Sequence, residues 1–72
     1  MNKYNYSRLR GLIKEYFDTQ RKYAEFLGIG NTTLQTRLNN ATYFTQQEIE
    51  KSIKAFGLTT TEEIERTFFA KE

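Results

Sequence analysis

The 72-residue sequence has no cysteine, no histidine and no proline. Without cysteine there is no disulfide and no thiolate zinc site. Without histidine the commonest general base and the imidazole metal ligand are missing as well. Carboxylates remain and could serve a glycosidase, but so short a chain has little room for an enclosed substrate cleft. The expectation is therefore a protein that is not an enzyme, with no cofactor and no metal. The lack of proline leaves helices uninterrupted by ring sterics. No apolar run approaches the ~20 residues that span a bilayer, and no signal-peptide pattern opens the chain. No alternating β-branched run marks a strand. A single all-α domain over residues 1–72 is expected, of modest stability because a chain this size buries only about 60% of its unfolded surface.

Charges of the two signs nearly balance overall but are unevenly placed. The net charge is +2. Residues 1–40 carry seven basic against three acidic side chains, and residues 41–72 carry four against six. A basic half beside an acidic half suits a surface for phosphate and another turned away from it, although ordinary solubilising charge gives the same pattern.

Periodicity and capping residues divide the chain into five helices. Residues 1–5 lack periodicity and read as a flexible arm. Tyr6, Leu9, Leu12, Ile13, Tyr16 and Phe17 then form one apolar stripe over about 6–16, with Asn5 as a cap and Gly11 inside, where close approach of another helix would explain it. Thr45-Gln-Gln-Glu48 is a capping-box sequence ahead of a helix over 46–56 that Gly57 stops. Thr60-Thr-Glu-Glu63 repeats the device ahead of a helix over 61–70. Between them, Ala41, Tyr43 and Phe44 are expected to tuck into the core. Most of the five tyrosines and six phenylalanines fall on helix stripes, where packing explains them better than stacking on bases.

The stretch 19–40, TQRKYAEFLGIGNTTLQTRLNN, organises the rest. Tyr23, Ala24, Phe26 and Leu27 recur at helical spacing, Gly28-Ile29-Gly30 interrupts, and Leu34 and Leu38 resume four apart. Thr19 and Asn31 stand where each helix starts and can accept a hydrogen bond from a first-turn N–H. This is a helix-turn-helix layout, whose second helix lies in the DNA major groove.

With Leu34 and Leu38 inward, that second helix exposes Asn31, Thr32, Thr33, Gln35, Thr36, Arg37, Asn39 and Asn40. Threonine and asparagine are poor helix formers, so solubility alone would favour Glu, Lys and Ala. Amides and hydroxyls pair with base edges, and the N-terminal residues of a recognition helix reach deepest. Asn31, Thr32, Thr33, Gln35, Thr36, Arg37 and Asn39 are thus the candidate recognition residues over 31–39. Gln20, Arg21 and Lys22 at the start of the preceding helix, with Asn40 and Thr42 beyond the recognition helix, are candidate phosphate or rim contacts. Each is equally readable as a solvated surface residue.

The spacing Gln20-x-x-x-Ala24-x-x-x-Gly28, followed by a helix with Leu34 and Leu38, resembles the phage Cro/repressor helix-turn-helix family. YSRLRGLIKEYF, TQRKYAEFLGI, TTLQTRLNN and QQEIEKSIKAFGL resemble the small Cro-type regulators of temperate phages of Gram-positive bacteria. Over residues 6–69 the chain is similar to the lactococcal-phage antirepressor members of that group. The resemblance implies a five-helix repressor/Cro-like domain in the cytoplasm of a bacterial host, acting in the lysis–lysogeny switch. Carried over by position, Gln20, Asn31, Thr32, Thr33, Gln35 and Thr36 match where such proteins touch DNA. It implies two partners: the DNA-binding N-terminal domain of the phage repressor, bound and blocked by an antirepressor, or double-stranded operator DNA read by a stand-alone regulator. The sequence departs from that pattern in carrying little positive charge on the recognition helix, and electrostatics supply much of DNA affinity. The antirepressor role is the expectation, with operator binding as the alternative.

Overall fold

Short-range signals start and stop the helices. In the computed structural model, which describes residues 3–72, the chain forms α1 (Ser7–Phe17), α2 (Gln20–Leu27), α3 (Asn31–Leu38), α4 (Gln46–Phe56) and α5 (Thr61–Phe68). The protein is all-α, with one isolated antiparallel bridge, between Tyr4 and Lys71, among the described residues. The Thr19 hydroxyl accepts from the Lys22 N–H at 3.2 Å, and the Thr60 hydroxyl from the Glu63 N–H at 3.1 Å. At α4 the capping box closes in both directions: the Glu48 N–H donates to Thr45 Oγ1 at 3.2 Å, and the Thr45 N–H donates to Glu48 Oε1 at 3.0 Å. Each such cap stabilises its helix by about 1 kcal/mol. Gly28 and Gly57 end α2 and α4 in the left-handed region, at φ 79° and 67°, where a Cβ is disfavoured.

Two expected caps differ. Asn31 is the first helical residue of α3 rather than its cap; Gly30 holds that position in extended backbone, without a side-chain bond. Asn5 precedes the N-cap Tyr6 of α1, yet its Oδ1 still accepts from the Ser7 N–H at 2.9 Å. Between α1 and α2 the chain turns at Asp18 (φ 71°, ψ −46°), and the Thr19 N–H reaches the Phe17 carbonyl at 2.8 Å. This is a γ-turn, a strained conformation for a residue with a Cβ. Lys14 and Lys22 approach the Asp18 carboxylate at 3.4 and 3.9 Å, both highly exposed, and such pairs contribute little.

Helix α1 is the hub, packing on α2, α4 and α5, while α2 packs on α3 and α4. Leu9, Ile13, Tyr23, Leu34 and Phe68 are essentially inaccessible to solvent. Tyr23 is satisfied inside the core: its hydroxyl lies 2.5 Å from Ser52 Oγ, which donates in turn to the Glu48 carbonyl at 2.8 Å. Burial pushes the Tyr23 phenol up to about 12, although the Ser52 bond lowers it somewhat.

The aromatic rings fall into two clusters. Phe17 meets Tyr23, Phe26 and Phe56 at centroid distances of 5.1–5.8 Å, with Tyr16 beside Phe56. Tyr4, Tyr6, Tyr43, Phe44, Phe68 and Phe69 form the second. Tyr16 and Phe26, at the edges of their stripes, are exposed, as are Ala41 and Tyr43; of the connection before α4 only Phe44 is buried. A Cβ on Gly11 would meet nothing within 4 Å, so close helix approach does not account for that glycine.

Residues 3–5, read from the sequence as part of a flexible arm over 1–5, are hydrogen-bonded to the chain's other end. The Asn5 N–H donates to the Ala70 carbonyl at 2.7 Å, and the Glu72 N–H to the Lys3 carbonyl at 3.1 Å. Extended backbone with unpaired groups finds partners in the chain's other end. Met1 and Asn2 lie outside the described residues.

Candidate functional site

The site is built on α2 and α3. Leu34 and Leu38 are buried and fix the rotation of α3, so residues two positions away from them, Thr32 and Thr36, lie on its opposite side. Gly28-Ile29-Gly30 makes the connection, with Ile29 packed against the core. Asn31 and Thr32 are exposed and their side chains make no hydrogen bond with the described residues. Half-buried Gln35 lies one turn further on, and its Nε2 donates to Gln20 Oε1 at 2.6 Å. That bond joins the first residue of α2 to the middle of α3 and holds both amides at the surface between the helices. Thr36 Oγ1 donates to the Thr33 carbonyl at 2.7 Å and lies 3.2 Å from Thr42 Oγ1. Asn39 is exposed just past the helix.

Two of the sequence candidates turn out to be structural. Arg37 faces α4, not solvent: its Nε and Nη2 donate to the two Glu48 carboxylate oxygens at 2.9 and 3.1 Å, and its Nη1 donates to Thr42 Oγ1 at 2.9 Å. Its side chain is 15% exposed and that of Glu48 is 8% exposed. The bidentate geometry suits a planar guanidinium, and Glu48 already stands at the α4 N-terminus, where the helix dipole favours a carboxylate. Burial pushes the Glu48 carboxyl up, but the Arg37 bonds and the Thr45 bonds together outweigh it and hold the pKa below the ordinary value. The same pair raises the pKa of Arg37. Thr42 remains exposed, though committed to Arg37.

Asn40 is the second candidate engaged within the molecule. Its backbone is left-handed (φ 64°), a conformation asparagine tolerates. Its Oδ1 accepts from the Tyr4 N–H at 2.8 Å and its Nδ2 donates to the Tyr4 carbonyl at 3.0 Å. A rim contact to phosphate is therefore not available to this side chain without breaking two bonds. Both pairings escape sequence reading because the partners are distant: 11 residues separate Arg37 from Glu48 and 36 separate Asn40 from Tyr4.

Electrostatically the assembled face is close to neutral. Helix α3 has no acidic residue and one cation, Arg37, which Glu48 neutralises. Arg10, on α1, donates through Nη2 to the Leu38 carbonyl at 3.2 Å, satisfying an orphan group at the C-terminus of α3. Lys22 shares Asp18 with Lys14. Arg21 is exposed beside Gln20 and makes no ion pair among the described residues. The face brings together Asn31, Thr32, Gln35 with Gln20, Thr36 with Thr42, and Asn39, with Arg21 and Lys22 at its edge. Among the described residues no cluster of His, Cys, Asp or Glu is arranged to hold a metal ion, and no helix is long and apolar enough to cross a membrane.

What fold and face define together is a small all-helical domain that presents a neutral amide-and-hydroxyl surface on two adjacent short helices. Residues 2–71 match the family described as "Protein of unknown function (DUF739)", and the chain belongs to it. No curated protein matches the chain.

Proposed function

We propose that the protein is a phage helix-turn-helix regulator of the Cro-like type, with α2 and α3 as the helix-turn-helix, acting as an antirepressor on the DNA-binding N-terminal domain of the phage repressor. The observation that carries the choice is the neutralisation of Arg37 by Glu48. A protein that binds DNA on its own draws on several phosphate contacts, each releasing a counterion. Here the α3 face offers Arg21 and Lys22 at its edge and no free cation of its own. Uncharged amides and hydroxyls can instead pair with the polar side chains by which a repressor reads its operator. The acidic half of the chain supports the same reading. Glu50, Glu62 and Glu65 are exposed, as is Glu25 on α2, and they complement a basic DNA-reading surface. Glu48, committed to Arg37, does not belong to that set.

Operator binding by residues 31–39 is the second reading, favoured by the exposure of Asn31 and Thr32 at the α3 N-terminus. A titration separates the two. Labelled operator DNA at ~0.15 M salt is expected to bind weakly, outside the 10⁻⁸–10⁻¹¹ M range of specific complexes, while the purified repressor domain binds tightly and co-elutes on a sizing column. Operator binding within that range, with no repressor complex, would reverse the assignment. Any DNA binding that is measured should show a log–log salt slope near that of one or two phosphates, not the six to ten of strongly electrostatic binders.

A further inference from the structure

The terminal segments do more than close the fold. Because Tyr4 and Lys71 pair without exchanging hydrogen bonds of their own, the Asn5 and Lys3 backbone groups bond to residues 70–72. The Tyr4 N–H and carbonyl therefore point the other way, to the Asn40 amide, which meets both as a neighbouring strand would. Tyr4 is thus held on one edge by the C-terminal residues and on the other by a single side chain. Its ring is also the centre of the second aromatic cluster: Tyr6, Tyr43 and Phe69 lie 6.1–6.2 Å from it. With Phe44 and Phe68 these rings line an open groove of about 330 Å³. Asn40 in turn directly follows Asn39, the C-cap of α3. The Asn40 N–H bonds to the Arg37 carbonyl, and the Ala41 and Thr42 N–H groups bond to the Thr36 carbonyl.

We propose that residues 3–5 and 70–72 form a latched strap along this groove, with the Asn40 side chain as the latch. Release of the strap and loosening of the turn that follows α3 are then one event. The coupling runs through a short chain of contacts, from the groove wall (Tyr4) through one amide to that turn. It requires no particular partner and stands whichever reading of the α3 face holds. Helix α3 itself, tied through Gln35 to Gln20 and through Arg37 to Glu48, lies outside the moving unit, so the device loosens the turn that follows the helix without dissolving it.

Native-state hydrogen exchange on the ¹⁵N-labelled full chain tests this without any variant. The amides of Asn5, Glu72, Ala41 and Thr42 should share one opening equilibrium, less protected than Leu9 and Ile13, as members of one cooperative unit do. Strap amides that open independently of Ala41 and Thr42, or only with the whole domain, would overturn the proposal. Asn40→Gly then isolates the latch, since glycine keeps the left-handed backbone and removes only the amide. Exchange at Asn5 and Glu72, which Asn40 does not touch directly, should rise on the order of tenfold or more for two lost hydrogen bonds. Asn40→Asp, which can accept from the Tyr4 N–H but cannot donate to its carbonyl, should raise it at least as much. Exchange at Asn5 and Glu72 unchanged in both variants would show that the strap holds itself.

Discussion

The two ends of α3 are built for different tasks. At its C-terminal end the polar groups other than the exposed Asn39 side chain are paired within the molecule: Arg37 has Glu48 and Thr42, the Leu38 carbonyl has Arg10, and Asn40 has Tyr4. At its N-terminal end Asn31 and Thr32 stand in solvent, and Gly30 caps the helix without a side chain. An eight-residue helix is too short to be stable alone, so it must be clamped somewhere. Here the clamps are gathered at one end, and the other is left free. Substitutions at the two ends should therefore separate stability from function.

The largest effect is expected at the clamp. Glu48→Ala leaves the Arg37 guanidinium half-enclosed without a counter-charge and also opens the α4 capping box. Removing one partner of a buried pair costs about 3 kcal/mol or more, a large share of the stability of so small a domain. A thermal melt followed by circular dichroism should show Glu48→Ala largely unfolded at 37 °C. Replacing both residues, as in Arg37→Met with Glu48→Met, should recover most of the loss, leaving about 1 kcal/mol for the missing cap.

Acid sharpens the same point. The Glu48 pKa is lowered in the folded protein from an ordinary 4.5, so its contribution to stability is present above that value. The contribution is lost as pH falls through the lowered folded pKa. Denaturant midpoints should fall below about pH 4.5 in the wild type. Glu48→Gln, already destabilised at neutral pH, should show a flatter acid limb. An identical acid limb in the two proteins would mean that the pair is not formed in solution. Midway along the helix, Gln35→Ala removes the bond to Gln20 and should cost about 1 kcal/mol.

Much of this fold is legible in the sequence because caps and stops are local. Thr19, Thr45 with Glu48, Thr60, Gly28 and Gly57 act within three or four residues of themselves, and α4 falls on residues 46–56 as its capping box and glycine imply. What spacing cannot show is which polar side chain on an outward arc finds a distant partner. Arg37 and Asn31 look alike from a helical wheel, yet Glu48 claims one and nothing among the described residues claims the other. Stripe edges fail for a related reason. Tyr16 and Phe26 carry the right period and touch the rings of Phe56 and Phe17 on one side, yet both remain exposed.

The smallest structural effect is expected at the free end, and there it is most informative. The side chains of Asn31 and Thr32 make no hydrogen bond with the described residues, and alanine is the better helix former at both positions. The double variant Asn31→Ala, Thr32→Ala should therefore melt within about 0.5 kcal/mol of wild type, as surface substitutions do. Gln35, still bonded to Gln20, and the clamped end should keep α3 in place. If the face is read by a partner, that same variant should lose most of its affinity for the repressor domain, measured by calorimetry, while its melting curve stays put. Wild-type affinity in a protein of unchanged stability would remove the α3 N-terminus from the interface and move attention to the acidic surface of α4 and α5.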